Sequence, residues 1–371
     1  MEFDPATGVI RCEAGVLLSE IMRLVVPKGW FLPVLPGTGF VTVGGAIAND
    51  IHGKNHHRAG TFGCHVLCLE LLRSDKGAIV CSADLNGDLF RATIGGLGLT
   101  GVILWAEIAL KQVRSPAIDV QSVCFPNLEA FFQLSAESDR EYEYTVAWID
   151  CLAKGDNLGR GIFIRGNHSD DRDWRAPGAP GRGLNIPIDL PFSPLNRRLI
   201  RAFNTLHYRR QGKLRTRSEI PYQSFFFPLD VIGHWNRLYG PPGFFQYQCV
   251  VPLRDAKEIV REILSRIAHE SVPCFLGVLK VFGPKPSPGL LSFPRQGVTL
   301  ALDFPNQGKK TLRLMESLDR ILAAAGGSLY PAKDARMSPE SFKRFFPRWE
   351  RLEAFRDPGF SSSFWRRVTR G

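Results

Sequence analysis

Long apolar runs are missing from these 371 residues. No stretch approaches the ~18 apolar residues that a membrane-spanning helix needs, so any membrane contact is expected to be peripheral. The opening Met1-Glu-Phe-Asp-Pro-Ala-Thr-Gly8 has no basic segment leading into an apolar core, which argues against a secretory leader. Eight cysteines occur, yet none forms a Cys-x-x-Cys pair, which removes zinc ribbons and thioredoxin-like sites. Cys64 and Cys68, with His65 between them, read as packed free thiols; no metal is expected there. Nothing suggests a disulfide framework, and a reducing cytoplasm is the expected compartment. The glycine spacing of residues 36–57 matches neither Gly-x-x-x-x-Gly-Lys-Ser/Thr nor a strand-borne Gly-x-Gly-x-x-Gly, which argues against a P-loop NTPase and a standard nicotinamide-binding fold. There is no internal repeat.

What is present is an excess of cations. Lysine and arginine number 47 against 36 acidic residues, a net charge of +11, which favours an anionic partner. The length exceeds one ordinary core and implies two domains, while 44% hydrophobic and 22% charged residues is the composition of a folded protein.

Periodicity divides the chain. Residues 1–115 read as short strands and turns: Val9 to Cys12, Val66 to Leu72 and Gly101 to Leu110 are strand-like, and Leu17, Ile21, Leu24 and Val25 share a helical face. Residues 116–325 alternate strand-like runs (143–152, 161–165, 223–228, 244–251, 274–282, 298–304) with helical patterns (127–136, 253–268, 311–325), as in an α+β substrate or cap domain. Residues 326–371 form a C-terminal segment expected to return to the functional site. Between about 170 and 194 the chain is rich in Pro, Gly and Asp and reads as a mobile loop. Leu195 to Arg217 follows with eight cationic side chains, no carboxylate, and Leu195, Leu199, Phe203 and Leu206 at helical spacing. This is a basic amphipathic segment suited to an anionic membrane. It lacks the interleaved aromatics that stack on bases, so nucleic acid is not an expected partner.

The densest motif runs from Pro36 through Gly37, Gly39, Gly44, Gly45, Ala46 and Ala48 to His57. Glycines let backbone approach a flat or charged ligand, and free N–H groups in such turns bind anionic oxygens. Tight turns between strands are the plainer reading. A second cluster, Gly95-Gly-Leu-Gly-Leu-Thr-Gly101, lies about fifty residues on, as a long two-ended cofactor requires.

Val43-Gly-Gly-Ala-Ile-Ala-Asn-Asp-Ile-His-Gly-Lys-Asn-His-His57, Gly60-Thr-Phe-Gly63 and Gly95 to Gly101 resemble the flavin-binding signatures of the decaprenylphosphoryl-β-D-ribose 2-oxidases, of the vanillyl-alcohol-oxidase type. Trp148-Ile-Asp-Cys-Leu152, Phe245-Gln-Tyr-Gln248, Lys280-Val-Phe-Gly283 and Leu329-Tyr-Pro-Ala-Lys-Asp334 resemble the substrate-domain motifs of the same family, in the same order. The resemblance implies an α+β protein: a PCMH-type FAD-binding domain, incomplete at its N-terminus and without its pyrophosphate loop, and an α+β cap domain. It implies FAD, held non-covalently, with Gly44, Gly45, Ile47, Ala48, Asn49, His52, Gly53, Gly96, Gly98, Thr100, Gly101 and Ile103 around it. Gln248, Lys280 and Lys333 are then the substrate-binding candidates, and Lys333, His52 and Tyr330 the catalytic ones. Ala301 stands where relatives often carry cysteine.

The implied reaction takes the 2'-hydroxyl of a polyprenyl-phosphate pentose to a ketone, in the synthesis of cell-envelope arabinose precursors. The implied partners are that substrate, a quinone or other electron acceptor, a short-chain dehydrogenase that reduces the keto product, and the inner face of the cell membrane. An aldonolactone or alditol oxidase of the same fold, and a non-catalytic relic, are the alternatives.

Overall fold

The computed structural model describes residues 1–171, 185–186, 188, 193–212, 217–270 and 272–370. Most of the loop expected between 170 and 194 lies outside the described residues, as do Lys213 and Arg215 of the basic segment.

Two antiparallel sheets organise the chain. The first has five strands in the order Glu2–Asp4, Val9–Glu13, Val102–Ala109, Val66–Arg73 and Gly77–Ser82. One face buries Ile10, Cys12, Leu69, Leu71, Ala106 and Ile108 against the helices Leu18–Val25 and Val43–Ala48. These residues alternate along their strands, which is why short runs suffice to form a core.

The second sheet has eight strands in the order Arg217–Pro221, Ala117–Phe125, Gly161–His168, Tyr144–Ile149, Leu276–Phe282, Gly297–Pro305, Phe244–Val251 and Ser328–Leu329. Its register separates two faces. Ala147, Leu279, Leu300, Cys249 and Leu329 lie opposite one another across the strands. Together with Tyr247, Val251 and Leu302 they pack under the helices Leu128–Ser138, Ala256–His269 and Lys309–Ala324. The interleaved residues, Trp148, Val278, Ala301 and Gln248, with Lys280, Thr299, Asp303 and Gln246 at two-residue steps, point to the opposite face.

That opposite face is covered in two places. Ile118, Val120 and Tyr144 join the core of the first sheet, with Phe31 and Phe225–Phe227. Beyond them the helix Arg197–Gly212 lies over Trp148 and Cys124: His207 meets the Trp148 ring edge-on at 4.8 Å, and the Tyr208 carbonyl accepts from the Cys124 thiol at 3.7 Å. The helices Pro339–Phe345 and Ser363–Thr369 instead extend the core of the helix-covered face through Phe342, Phe345, Trp365 and Val368.

One expected strand is a helix. Residues 223–228 were read as extended because they are aromatic, but Tyr222–Phe226 is helical, followed by a turn. The turn sends Phe225, Phe226 and Phe227 in different directions into one aromatic cluster with Phe31 and Tyr144, a demand set by the neighbouring core and invisible to local propensity.

Candidate functional site

The two glycine-rich segments meet. Gly95 N–H donates to Ile47 O at 2.9 Å and Leu97 N–H to Ala48 O at 2.9 Å, so the second cluster is laced to the helix that the first one forms. Thr42 caps that helix, its hydroxyl accepting from Gly45 N–H at 3.1 Å.

The expectation of free N–H groups in the first cluster is corrected here. Val43 N–H is bonded to Val16 O and Gly44 N–H to Ala14 O, so the cap and its neighbours already satisfy these donors. The glycine at 44 is needed for packing: a Cβ there would lie 3.0 Å from Ala14 Cβ. Ile47 and Ile103 are buried in the first core, and Thr100 spends its hydroxyl on Thr93 at 2.9 Å. Gly96 and Gly101 are buried, whereas Gly98 has φ +71° and open space around its Cα. Asn49 folds its amide back onto Gly45 O at 2.9 Å, leaving its own carbonyl to accept from Tyr330 OH at 3.0 Å.

Tyr330 follows the edge strand Ser328–Leu329, and its N–H bonds Gln248 O at 2.8 Å. Its ring stacks on Phe293, with centroids 4.6 Å apart and planes at 19°. With Phe282 and Val250 they make a small apolar floor on the sheet face opposite the three helices. Burial raises the Tyr330 phenol above its ordinary range. Its hydroxyl proton is committed to Asn49 O, which ties the Asn49 turn to the end of the edge strand.

His52 links the glycine-rich turn to the eight-stranded sheet. Gln248 Nε2 lies 2.8 Å from His52 Nε2 and 3.2 Å from Thr299 Oγ1. Thr299 spends its own proton on Cys249 O at 2.9 Å, so it accepts from Gln248, and this fixes the amide nitrogen toward both partners. His52 Nε2 is then an acceptor and Nδ1 carries the ring proton. Nδ1 faces Lys280 Nζ at 3.3 Å, and Lys280 Nζ also lies 3.3 Å from Gly53 O. The arrangement closes if Lys280 is neutral, accepting from Nδ1–H and donating to Gly53 O.

Electrostatics agrees with that count. Burial, then the charges of Lys54 and Lys333, push the Lys280 amine down to about 7. Burial alone brings Lys54 to about 7; its ammonium bonds Phe225 O and lies 4.3 Å from the Phe225 ring centre. Burial, then Lys280 and His56, hold His52 well below the usual imidazole range, so it is neutral. His56 is fully buried with neither ring nitrogen bonded among the described residues, and burial takes it to about 3.

Lys333 completes the cluster from the short turn Pro331–Lys333. Burial lowers its pKa, while the Asp303 carboxylate pulls the other way. Asp303 accepts from Gln246 at 3.1 Å with one oxygen, and its other oxygen has no partner among the described residues. The adjacent Asp334 plays a different part: it accepts from Arg336 and Met337 N–H groups and pairs with Arg367 at 2.6 Å, which anchors the turn.

The predicted substrate-side and catalytic residues Gln248, Lys280, Lys333, His52 and Tyr330 thus meet at one place on the sheet face opposite the three helices, largely shielded from water. Ala301 is there too, opposite both Gln248 and Val278. The sequence reading missed Lys54, His56, Thr299 and Asp303. Lys54 was legible inside the His52-Gly-Lys54 motif; Thr299 and Asp303 become visible only when strand register puts them beside Gln248 and Gln246. The eight cysteines are free, and no His, Cys, Asp or Glu cluster among the described residues is arranged to hold a metal.

Three lysine amines and a neutral imidazole gathered at one place suit an electron-rich ligand with anionic oxygens. The Gly98 opening and the joined glycine segments supply a backbone rim beside it. These residues fit a flavin dinucleotide. The comparisons concur: residues 1–82 match the FAD binding domain model. The chain is 37% identical to the decaprenylphosphoryl-β-D-ribose oxidase of Mycolicibacterium smegmatis, across 98% of this chain and 82% of that protein. It is 34% identical to a Streptomyces coelicolor protein described as the uncharacterized protein in the mprA 5' region, across 95% of this chain and the whole of that one. The human delta(24)-sterol reductase is 30% identical over 33% of this chain and 25% of its own length.

Proposed function

This chain belongs to the decaprenylphosphoryl-β-D-ribose oxidase family of FAD-dependent oxidoreductases, and we propose that it oxidises the 2'-hydroxyl of a polyprenyl-phosphate pentose to a ketone. The observation that carries this reading is the convergence of Lys280, Lys333, His52 and Gln248 on one sheet face, beside the turn that holds both glycine segments.

FAD, when bound, supplies the hydride acceptor. The turn 44–53 and the loop 96–101 hold it, joined by the Gly95 and Leu97 hydrogen bonds. Tyr330 orients Asn49, and the Phe282–Phe293–Tyr330 floor keeps water from that side. Oxidation of an alcohol also requires loss of the hydroxyl proton to a base within hydrogen-bond reach. Lys333 is assigned that role: burial lowers its pKa toward that of a usable base, and the Asp303 carboxylate offsets the charge it gains on taking the proton. His52, neutral and locked by Gln248, keeps Lys280 in register. Lys280 binds the phosphate oxygens, and Gln248 accepts from a sugar hydroxyl with the amide oxygen that His52 and Thr299 leave unused. In this reading residues 1–115 carry the flavin, 116–325 form the cap and 326–371 bring Tyr330 and Lys333 back to the site.

No helix among the described residues is long and apolar enough to cross a membrane. A lipid-linked substrate calls for peripheral contact at the cytoplasmic membrane face, with a quinone or another electron acceptor and a short-chain dehydrogenase consuming the keto product. The test is anaerobic reduction of the FAD-loaded protein, followed by flavin absorbance. A polyprenyl-phosphate pentose is expected to bleach it, and a free alditol or aldonolactone is not. Bleaching by the free sugar alone defeats the lipid-linked assignment.

A further inference from the structure

The helix Arg197–Gly212 has more to its surface than its inner packing requires. Its inner side is pinned by buried polar contacts: Asn204 donates to Asp150 Oδ1 at 2.8 Å, and Asp150 also receives Arg160 at 2.7 Å. Asp150 belongs to the Trp148–Leu152 motif, so that motif seats the helix. Ile200 is buried with Leu195, Leu152 and Tyr239.

The outer side is left over. Leu199, Phe203 and Leu206 are 49%, 48% and 69% exposed. With Arg210 they follow at steps of three or four and make one exposed edge; Arg198, Arg201, Thr205 and Arg209 make the adjoining one. Among the described residues no carboxylate pairs with Arg198, Arg201, Arg209 or Arg210. A shallow depression of about 400 Å³ lies along Arg198, Arg201, Ala202, Thr205, Leu206 and Arg209.

We propose that this face docks on the surface of an anionic lipid bilayer. Charge complementarity selects the occupant. Four guanidinium groups, without a carboxylate partner among the described residues, flank three large apolar side chains, the arrangement that sits at a headgroup boundary with its apolar edge dipped in and its cations on lipid phosphates.

The placement connects docking to chemistry. The helix lies on the same sheet face as the site, Phe203 touching Phe275 at 5.9 Å, just ahead of the strand that carries Lys280. Five residues of extended chain separate Phe275 from Lys280, about 16 Å. A lipid-linked sugar held at the bilayer surface therefore needs to rise only a short way to reach the lysine cluster. The inference deepens the lipid-linked reading and rests on it for this orientation; the exposed basic face stands independently.

The test is sedimentation of the FAD-loaded full chain with phosphatidylcholine vesicles, with and without phosphatidylglycerol, at low and high salt. Binding to the anionic vesicles alone, weakened by salt, is expected. Arg209→Glu with Arg210→Glu should lower the partition coefficient at least about 25-fold, from roughly fivefold per cation. Leu199→Ser with Leu206→Ser should weaken binding in high and low salt alike. Both pairs should keep the wild-type thermal midpoint and full turnover of detergent-dispersed substrate. Equal binding to neutral vesicles, indifference to the charge reversal, or a change in vesicle-free self-association on removing the leucines would overturn the proposal. Absent turnover in every variant, with vesicle binding intact, would sink the catalytic reading and leave the docking face standing.

Discussion

The molecule carries two cationic clusters of opposite construction on one sheet face. At the site, Lys54, Lys280 and Lys333 are crowded together out of water; burial lowers the pKa of all three, and the charges of Lys54 and Lys333 lower that of Lys280 further. On the helix Arg197–Gly212, Arg198, Arg201, Arg209 and Arg210 are exposed and spaced along a turn repeat. The chemistry of the side chains follows the setting. An amine gives up its proton when desolvated and becomes a base; a guanidinium keeps its charge and serves as a lasting contact for phosphate. The same sign of charge thus yields proton chemistry in one place and adhesion in the other.

Removing a charge should therefore have unequal consequences. The largest is expected at Lys333→Ala, where loss of the base should cut turnover by ~10²–10⁴-fold while the flavin spectrum persists. Near-normal turnover would place the base elsewhere in the cluster. Next comes Asp150→Ala, which strands the mostly buried Arg160 and frees Asn204 beneath the basic helix. A loss of about 3–5 kcal/mol in denaturant unfolding is expected, as for breaking one side of a buried pair.

Lys54→Met sharpens the contrast by removing one repelling charge beside Lys280. Its pKa of about 7 should rise, and any pH-dependent step requiring neutral Lys280 should shift its acidic limb to higher pH. An unmoved limb would show that Lys54 does not reach the reacting groups. The lysines also set the pH dependence of stability. Their folded pKa values lie below the unfolded ones, so folding releases protons between about 7 and 10.5. Stability from these two groups should rise with pH across that window, and the rise should shrink in Lys54→Met, read from thermal melts of flavin-free protein. The smallest effect is expected at the helix: Arg198→Gln should change stability by no more than about 0.5 kcal/mol, because nothing in the fold depends on it.

Much of this was legible beforehand. The helices near 18–25, 128–138 and 309–324 and most strands followed from periodicity, because each buries one face and repeats at its own period. The basic segment was legible as an amphipathic helix, although its apolar stripe could equally have faced inward. Asp150 and Asn204 settle that by pinning the opposite side. The phenylalanines at 225–227 misled, because aromatic content favours strands until a neighbouring core asks for three directions at once.

The sequence by itself determined the motifs, the charge balance and the family, since these are properties of residue order. Only the tertiary structure decided that Gly44 and Gly45 spend their N–H groups inside the protein, and that Thr299 orients Gln248 and through it His52. It also decided that lysines 226 positions apart, Lys54 and Lys280, share one field. Those outcomes depend on strand register and on desolvation, and both arise only when distant segments are brought together and water is removed between them.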